Sequence, residues 1–269
     1  MSAALKSWLS KKIRRGTRLW GLLHSAYMLF SGNDWLEIRG RLRRTRQKKM
    51  MRVHAREFLE EILGVCGGLD MRPFLLRGTL LGYCREDGFL KHDYDIDLGL
   101  MEPDFRKVGK LKTALEEKGF VTYRDNRYAG PLKKIGERFL VKFIKPEWDL
   151  WVDFDFLYPW DGVVAYIEDT RYEYLYRKKE LKREKTRADG VIGYALVYPQ
   201  DLFDTWARIQ FLGLDAWIPA DAERYLELTY GEWRVKKSKD RTLYQNMKAV
   251  SYDRIAGKPV YLDLTHGRF

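Results

Sequence analysis

Two short segments of this chain set aspartates at alternate positions inside otherwise apolar, aromatic-rich runs: Tyr94-Asp95-Ile96-Asp97-Leu98 and Trp151-Val152-Asp153-Phe154-Asp155-Phe156-Leu157. Both runs have the period-2 pattern of β-strands. Successive side chains on a strand leave opposite faces, so each pair of carboxylates projects from one face. Carboxylates held a few ångströms apart repel unless a cation lies between them. A fold built on these strands must therefore expose its carboxylates as solvated acidic turns or gather them around positive charge. A lone Asp-x-Asp is most often an exposed turn. Here a Gly78-Thr79 pair lies just upstream, offering backbone that can approach a phosphate and a hydroxyl that can bond it, and the second strand brings Asp153 and Asp155. Charged residues do not line one side of an aromatic-rich strand without a partner. A metal shared with Asp95 and Asp97 would be that partner, in the layout that clamps a phosphoryl group between attacking and leaving oxygens. Oxygen donors with no His/Cys cluster nearby favour Mg²⁺ or Mn²⁺ over zinc. Two cysteines and four histidines also leave no zinc-finger spacing and no disulfide scaffold to write.

Charge separates the chain into two parts. The formal net charge of +12 is carried entirely by residues 1–52, and the remainder is neutral. A basic protein is often a nucleic-acid binder, but here the catalytic-sized body carries no net charge and only the leader is cationic. From Leu5 to Tyr27, Leu5, Trp8, Leu9, Ile13, Leu19, Trp20, Leu23 and Tyr27 fall on one helical arc, with Lys11, Arg14, Arg15 and Arg18 opposite. The uncharged run Leu19–Asn33 is shorter than the roughly 18 to 20 residues of a spanning helix. No small-residue cleavage site closes it, and the dense run Arg39, Arg41, Arg43, Arg44, Arg46 follows, which argues against a signal peptide. A basic amphipathic helix with Trp on its apolar face is the signature of an element lying in the interface of an anionic leaflet. An ordinary surface helix docked on the core is the alternative. The expected location is cytoplasmic, peripheral at the inner face of the membrane.

In the body, Val53–Cys66 has helical periodicity and stops at Gly67-Gly68. Phe74–Leu76, Tyr94–Leu100, Phe120–Tyr123, Phe139–Ile144 and Leu150–Leu157 read as strands, and Pro103–Lys118 as a helix that Gly119 ends. Tyr172–Arg187 reads as a charged, solvated connection. Asp201–Phe211 and Ala220–Tyr230 are expected helices, the second stopped by Gly231. Strands and helices intermix over residues 53–269 without a repeat or linker, giving a leader over 1–52 and a single α/β domain over 53–269.

The stretch Arg77–Leu98 resembles the LicD family, which includes the fukutin-type proteins, within the nucleotidyltransferase-fold superfamily. It matches the family pattern at Gly78, Thr79, Leu80, Leu81, Gly82, Arg85, Gly88, Phe89, Asp93, Asp95 and Asp97. It departs at Leu90-Lys91-His92, where the family usually has Ile-Pro-Trp, and at Tyr94, often another Asp. Val152–Tyr158 is similar to the family's later Asp-containing strand, with Asp153 the first choice for the matching carboxylate and Asp155 the second. Phe211-Leu212-Gly213, Ile218-Pro219 and Tyr230-Gly231-Glu232-Trp233 resemble its C-terminal element. The resemblance implies an α/β (α+β) nucleotidyltransferase-like mixed sheet flanked by helices. It also implies an enzyme that moves a phospho-alcohol (phosphocholine, glycerol phosphate, ribitol phosphate or similar) from a CDP-activated donor to a glycan or lipid-linked glycan hydroxyl, releasing CMP. In that reading Asp95, Asp97 and Asp153 hold Mg²⁺ or Mn²⁺ on the diphosphate, and Arg77, Gly78, Thr79 and Arg85 meet the donor. Arg85 neutralises developing charge, and Asp155 or Asp153 takes the acceptor proton. For Arg85 a surface salt bridge to Glu86 or Asp87 competes with that role. His92 reads as a turn residue.

Two rival readings remain at this stage. One keeps the fold and moves NMP from an NTP with pyrophosphate release. The other treats the chain as a non-enzymatic basic nucleic-acid binder, with salt-dependent affinity. No specific nucleic acid is expected as a partner. The leader reading predicts that the full chain floats with anionic liposomes while a chain starting at Val53 does not. Each Lys or Arg near the surface contributes about 1 kcal/mol, so strong salt releases the protein. Equal flotation of the two proteins, or retention in strong salt and alkaline carbonate, would refute it.

Overall fold

Alternation along the strands decides how the chain is layered. A computed structural model of the protein describes residues 35–128, 130–160, 162–169, 193–236, 246–253 and 258–263. The leader helix expected over Leu5–Tyr27 and the connection expected over Tyr172–Arg187 lie outside the described residues. The chain forms α1 (Trp35–Gly68), β1 (Phe74–Leu75), α2 (Arg77–Glu86), β2 (Asp95–Leu100), α3 (Val108–Glu117), β3 (Val121–Arg127), β4 (Arg138–Lys145) and β5 (Leu150–Phe156). There follow β6 (Tyr158–Trp160), β7 (Val163–Asp169), β8 (Gly193–Pro199), β9 (Trp206–Phe211), β10 (Leu214–Pro219), α4 (Ala222–Tyr230), β11 (Met247–Asp253) and β12 (Lys258–Asp263).

Seven strands form a mixed sheet in the order β3-β4-β5-β2-β1-β10-β9. The pairs β2/β5 and β1/β10 are parallel, and the others are antiparallel. Ile96, Leu98 and Leu100 of β2 share one buried face with Val152, Phe154 and Phe156 of β5. α1 contributes Met51, Ala55, Phe58, Leu59, Ile62 and Cys66 to this core, and α3 contributes Val108, Leu111 and Leu115, each set at helical spacing. The start read at Val53 is only the middle of α1, which crosses position 52 without a break and already buries Gln47 and Met51. Gly119, with φ of 80°, ends the α3 segment as expected. Asp221 caps α4 by accepting from the Arg224 N–H at 3.0 Å.

The helix expected over Asp201–Phe211 is not formed. Gln200–Phe203 makes a single 3₁₀ turn, and Trp206–Phe211 is a strand paired in a hairpin with β10. Leu212 and Gly213 both have positive φ, 54° and 73°, which is the two-residue turn whose twist suits a hairpin. The helical spacing of apolar residues through this stretch lost to that turn. A second sheet, β12-β11-β8-β7-β6, is antiparallel throughout, and sequence periodicity had not revealed it. It packs on α4 around Tyr198, which stacks on Tyr225 of that helix at 4.8 Å and donates to its hydroxyl.

Two glycines are fixed by close approach. A Cβ on Gly82 of α2 would run into the carbonyl of Gly88, so the helix and the loop leading to β2 can touch only without it. A Cβ on Gly99 of β2 would enter the ring of Phe74, which lies across that position of the neighbouring strand. Gly99→Ala is therefore expected to lower stability by about 1–3 kcal/mol, because the fully buried Phe74 ring has nowhere to move. Urea unfolding checks this, and an unchanged midpoint would contradict the packing described.

Candidate active site

The same alternation that buries Ile96 and Leu98 sends Asp95, Asp97 and Gly99 to the opposite face of β2. The parallel register aligns Asp95 with Trp151, Asp97 with Asp153 and Gly99 with Asp155. On the far side of β5, the antiparallel register puts Lys142 of β4 beside Asp153. One face of three adjacent strands thus carries four carboxylates and one lysine.

α2 enters this face through its first turn. The Thr79 hydroxyl, fully buried, accepts the Asp97 N–H at 2.9 Å, and the Gly78 N–H bonds the Asp97 carboxylate. Arg77 begins the helix with a φ of 45°, an uncommon conformation for a residue with a side chain. Its guanidinium lies 2.8 Å from Asp155 Oδ2 and 4.3 Å from the centre of the Tyr166 ring of the second sheet. Asp155 is completely buried in this arrangement.

The charges on this face do not balance. Lys142 Nζ is 3.0 Å from Asp153 Oδ2, and the Arg77 guanidinium faces Asp155 at 2.8 Å. Among the described residues no ion pair reaches Asp95 or Asp97. Burial first, and then the charges of Asp97 and Asp153, push the Asp95 carboxyl well above the usual carboxylate range. The Asp97 carboxyl rises to about 6, chiefly through burial, with Arg77 opposing and Asp153 reinforcing the shift. Burial likewise takes the Asp155 carboxyl up to about 8 against the opposing pull of Arg77. Asp153 Oδ1 is buried with no hydrogen-bond partner among the described residues.

These observations test whether a divalent cation fits. The donors are all hard carboxylate oxygens, Asp95 and Asp97 have no ion pair among the described residues, and Asp153 keeps one oxygen orphaned, which matches Mg²⁺ or Mn²⁺ chemistry. Among the described residues no three carboxylate, imidazole or thiol groups already converge closely enough to hold a metal. Asp95, Asp97 and Asp153 fit the role by chemistry and register, while Asp155 is occupied by Arg77.

The other expected site residues divide. Arg77, Gly78 and Thr79 are brought to the carboxylates, although the Thr79 hydroxyl is spent on the backbone of β2 rather than left open to a ligand. Arg85 is not brought there. It stands about 10 Å further along α2, donates to the Trp233 carbonyl at 3.3 Å and lies 3.8 Å from Glu86, the salt-bridge alternative weighed above. Lys142 and Trp151 were missed. The signal was present in Arg138–Lys145, where a lysine interrupts an apolar strand at the position facing Asp153.

The strands that carry the carboxylates lie in a region similar to known proteins. The family model for the LicD/FKTN/FKRP nucleotidyltransferase domain matches residues 70–221, more than half of the chain and all of the strands that carry the carboxylates. The chain is 25% identical over 181 residues to the ribitol 5-phosphate transferase FKRP of Homo sapiens, and equally to that of Mus musculus. Each alignment covers 65% of this chain and 31% of the relative. The chain thus aligns with under one third of these relatives' length.

The uncompensated charge carries a stability consequence. The Asp97 carboxyl is raised in the folded state, so the native protein binds more protons than the unfolded chain between about pH 4 and 6, and stability falls as pH rises through that window. Asp97→Asn is therefore expected to raise the melting temperature at pH 7.5 in EDTA, by a stabilisation on the order of 1 kcal/mol. The gain should vanish below pH 4. A lower melting temperature for the variant at pH 7.5 would mean that Asp97 is already compensated.

Proposed function

Because the chain belongs to the LicD/FKTN/FKRP family, we propose that it is a metal-dependent phosphotransferase acting on a CDP-activated alcohol. It would move a phospho-alcohol such as ribitol phosphate, glycerol phosphate or phosphocholine to a hydroxyl of a cell-surface or lipid-linked glycan and release CMP. The observation that carries this reading is the single sheet face on which Asp95 and Asp97 stand uncompensated beside Asp153. The similarity to ribitol 5-phosphate transferases supports the phospho-alcohol as the transferred group.

Asp95, Asp97 and Asp153 would hold Mg²⁺ or Mn²⁺. When bound, that ion supplies charge neutralisation on the diphosphate and polarises the phosphoryl oxygens. The protein's own part is mainly positioning, since phosphoryl transfer through a loose transition state asks little covalent chemistry of its side chains. Gly78 and Thr79 set the orientation of Asp97 through its carboxylate and its amide. Asp155, buried against Arg77, holds that guanidinium beside the carboxylate face, where it would favour a phosphate, and Asp153 would be the carboxylate to receive the acceptor proton. No described helix is long and apolar enough to cross a membrane, and the basic residues 1–52 would bring the enzyme to an anionic membrane surface.

The test is chromatography of reactions with CDP-ribitol, CDP-glycerol and CDP-choline beside parallel reactions with CTP, ATP and UTP. CMP is expected from at least one CDP-alcohol in the presence of Mg²⁺ or Mn²⁺. Asp95→Asn and Asp153→Asn should lower turnover at least a thousandfold, because the amide removes the charge the metal requires. Pyrophosphate from an NTP, and no CMP from any CDP-alcohol, would instead make the protein a nucleotidyltransferase.

A further inference from the structure

Lys142 is buried to 7% exposure, yet it stands on the polar face of the sheet. Its ammonium lies 3.0 Å from Asp153 Oδ2 and 4.6 Å from the centre of the Trp151 ring. Trp151 is itself held on several sides. Tyr123 stacks on it at 5.6 Å and an interplanar angle of 23°, and Arg43 of α1 lies over it at 4.5 Å while donating to Asp149 at 2.6 Å. Register puts Trp151 directly beside Asp95. Two polar atoms of this corner, Trp151 Nε1 and Asp153 Oδ1, are buried with no hydrogen-bond partner among the described residues. One is a donor and the other an acceptor, so the corner has room for one further acceptor, which an anion's oxygen supplies, and one further donor or cation.

A buried ammonium cannot be left without an anion at small cost. If a divalent cation takes Asp153, as the function proposed above requires, it shares that carboxylate's single charge with Lys142 and weakens the ion pair, while the face of Trp151 still holds the ammonium in place. Two of the groups expected to meet phosphate are engaged elsewhere, Thr79 with the Asp97 amide and Arg85 with Trp233.

We infer that Lys142 is a partner-switching residue: it neutralises Asp153 in the metal-free protein and, with the metal bound, becomes a ligand of the donor's diphosphate, with the indole N–H of Trp151 as a second donor to the same anion. The ligand class is a nucleoside diphosphate or its ester, recognised through phosphate oxygens. No bond is made or broken in the switch. It exchanges one ion pair for another and makes metal and diphosphate binding mutually dependent.

Because it rests on the metal-dependent reading, the test separates the two. Mn²⁺ alone, and CDP in saturating Mn²⁺, are titrated calorimetrically into the native protein and into Lys142→Met. The switch predicts opposite shifts. The variant should bind Mn²⁺ alone about 10-fold more tightly, because no ammonium competes for Asp153, and CDP at least about 10-fold more weakly, because a charge-assisted hydrogen bond is lost. A merely structural lysine would move both affinities the same way or neither, and either result overturns the inference. Should Lys142→Met not fold, acetylation of the native protein followed by peptide mass spectrometry replaces it. Modification of Lys142 should rise with Mn²⁺ alone and fall again when CDP is added, and any other order overturns the inference. A native protein that binds no Mn²⁺ overturns both this inference and the metal-dependent reading. Opposite shifts in a protein that releases no CMP from CDP-alcohols would keep Lys142 in its role and remove only the proposed reaction.

Discussion

The parallel pairing of β2 with β5 is the constraint on which the rest of the structure depends. It sets Asp97 against Asp153 with one residue of register to spare on neither side. A slip by one position would turn every carboxylate into the core and every apolar partner out of it. The apolar face, with Ile96, Leu98, Val152 and Phe154 all fully buried, holds that register by hydrophobic burial worth about 1.5–3 kcal/mol for each large side chain. The polar face draws on that stability. Its carboxyls are raised first by burial and then by the neighbouring carboxylates, so the burial that the apolar face favours costs the polar one. Gly99 and Phe74 extend the same arrangement to β1, where the absence of a side chain on one strand admits the ring of the next.

Much of the site was legible because strand alternation is local. Asp95 and Asp97, and Asp153 and Asp155, could be placed on common faces from spacing alone, and the sheet then needed only to bring two strands together. The roles within each pair were not legible. Asp153 and Asp155 have equivalent sequence environments, and what separates them is non-local: Lys142 comes from β4, and Arg77 comes from the first turn of α2 with an unusual φ. The Gly-Thr-Leu-Leu-Gly run lies within the helix Arg77–Glu86, a conformation its spacing alone does not announce. Its second glycine serves the passage of the Gly88 loop, and its threonine serves the backbone of β2.

The errors in fold have the same origin. Trp206–Phe211 has apolar residues compatible with a helix, and only the two left-handed residues that follow show that the chain reverses there. The second sheet gathers strands separated by long stretches of chain, so no local pattern announces it. α1 was cut at Val53 because its charged first half has no apolar stripe to read, although Arg43 and Met51 are already engaged with the body.

That uninterrupted helix has a mechanical consequence. Thirty-four residues of α helix form a rod about 50 Å long. One end is cemented into the core through Phe58, Leu59 and Ile62, and Arg43 is pinned beside the carboxylate face. A rod fixed at two points along its length transmits orientation as well as attachment. Any surface or partner that grips its first turns would therefore set the height and tilt of the carboxylate face above it, so that the rod works as a lever and a spacer at once.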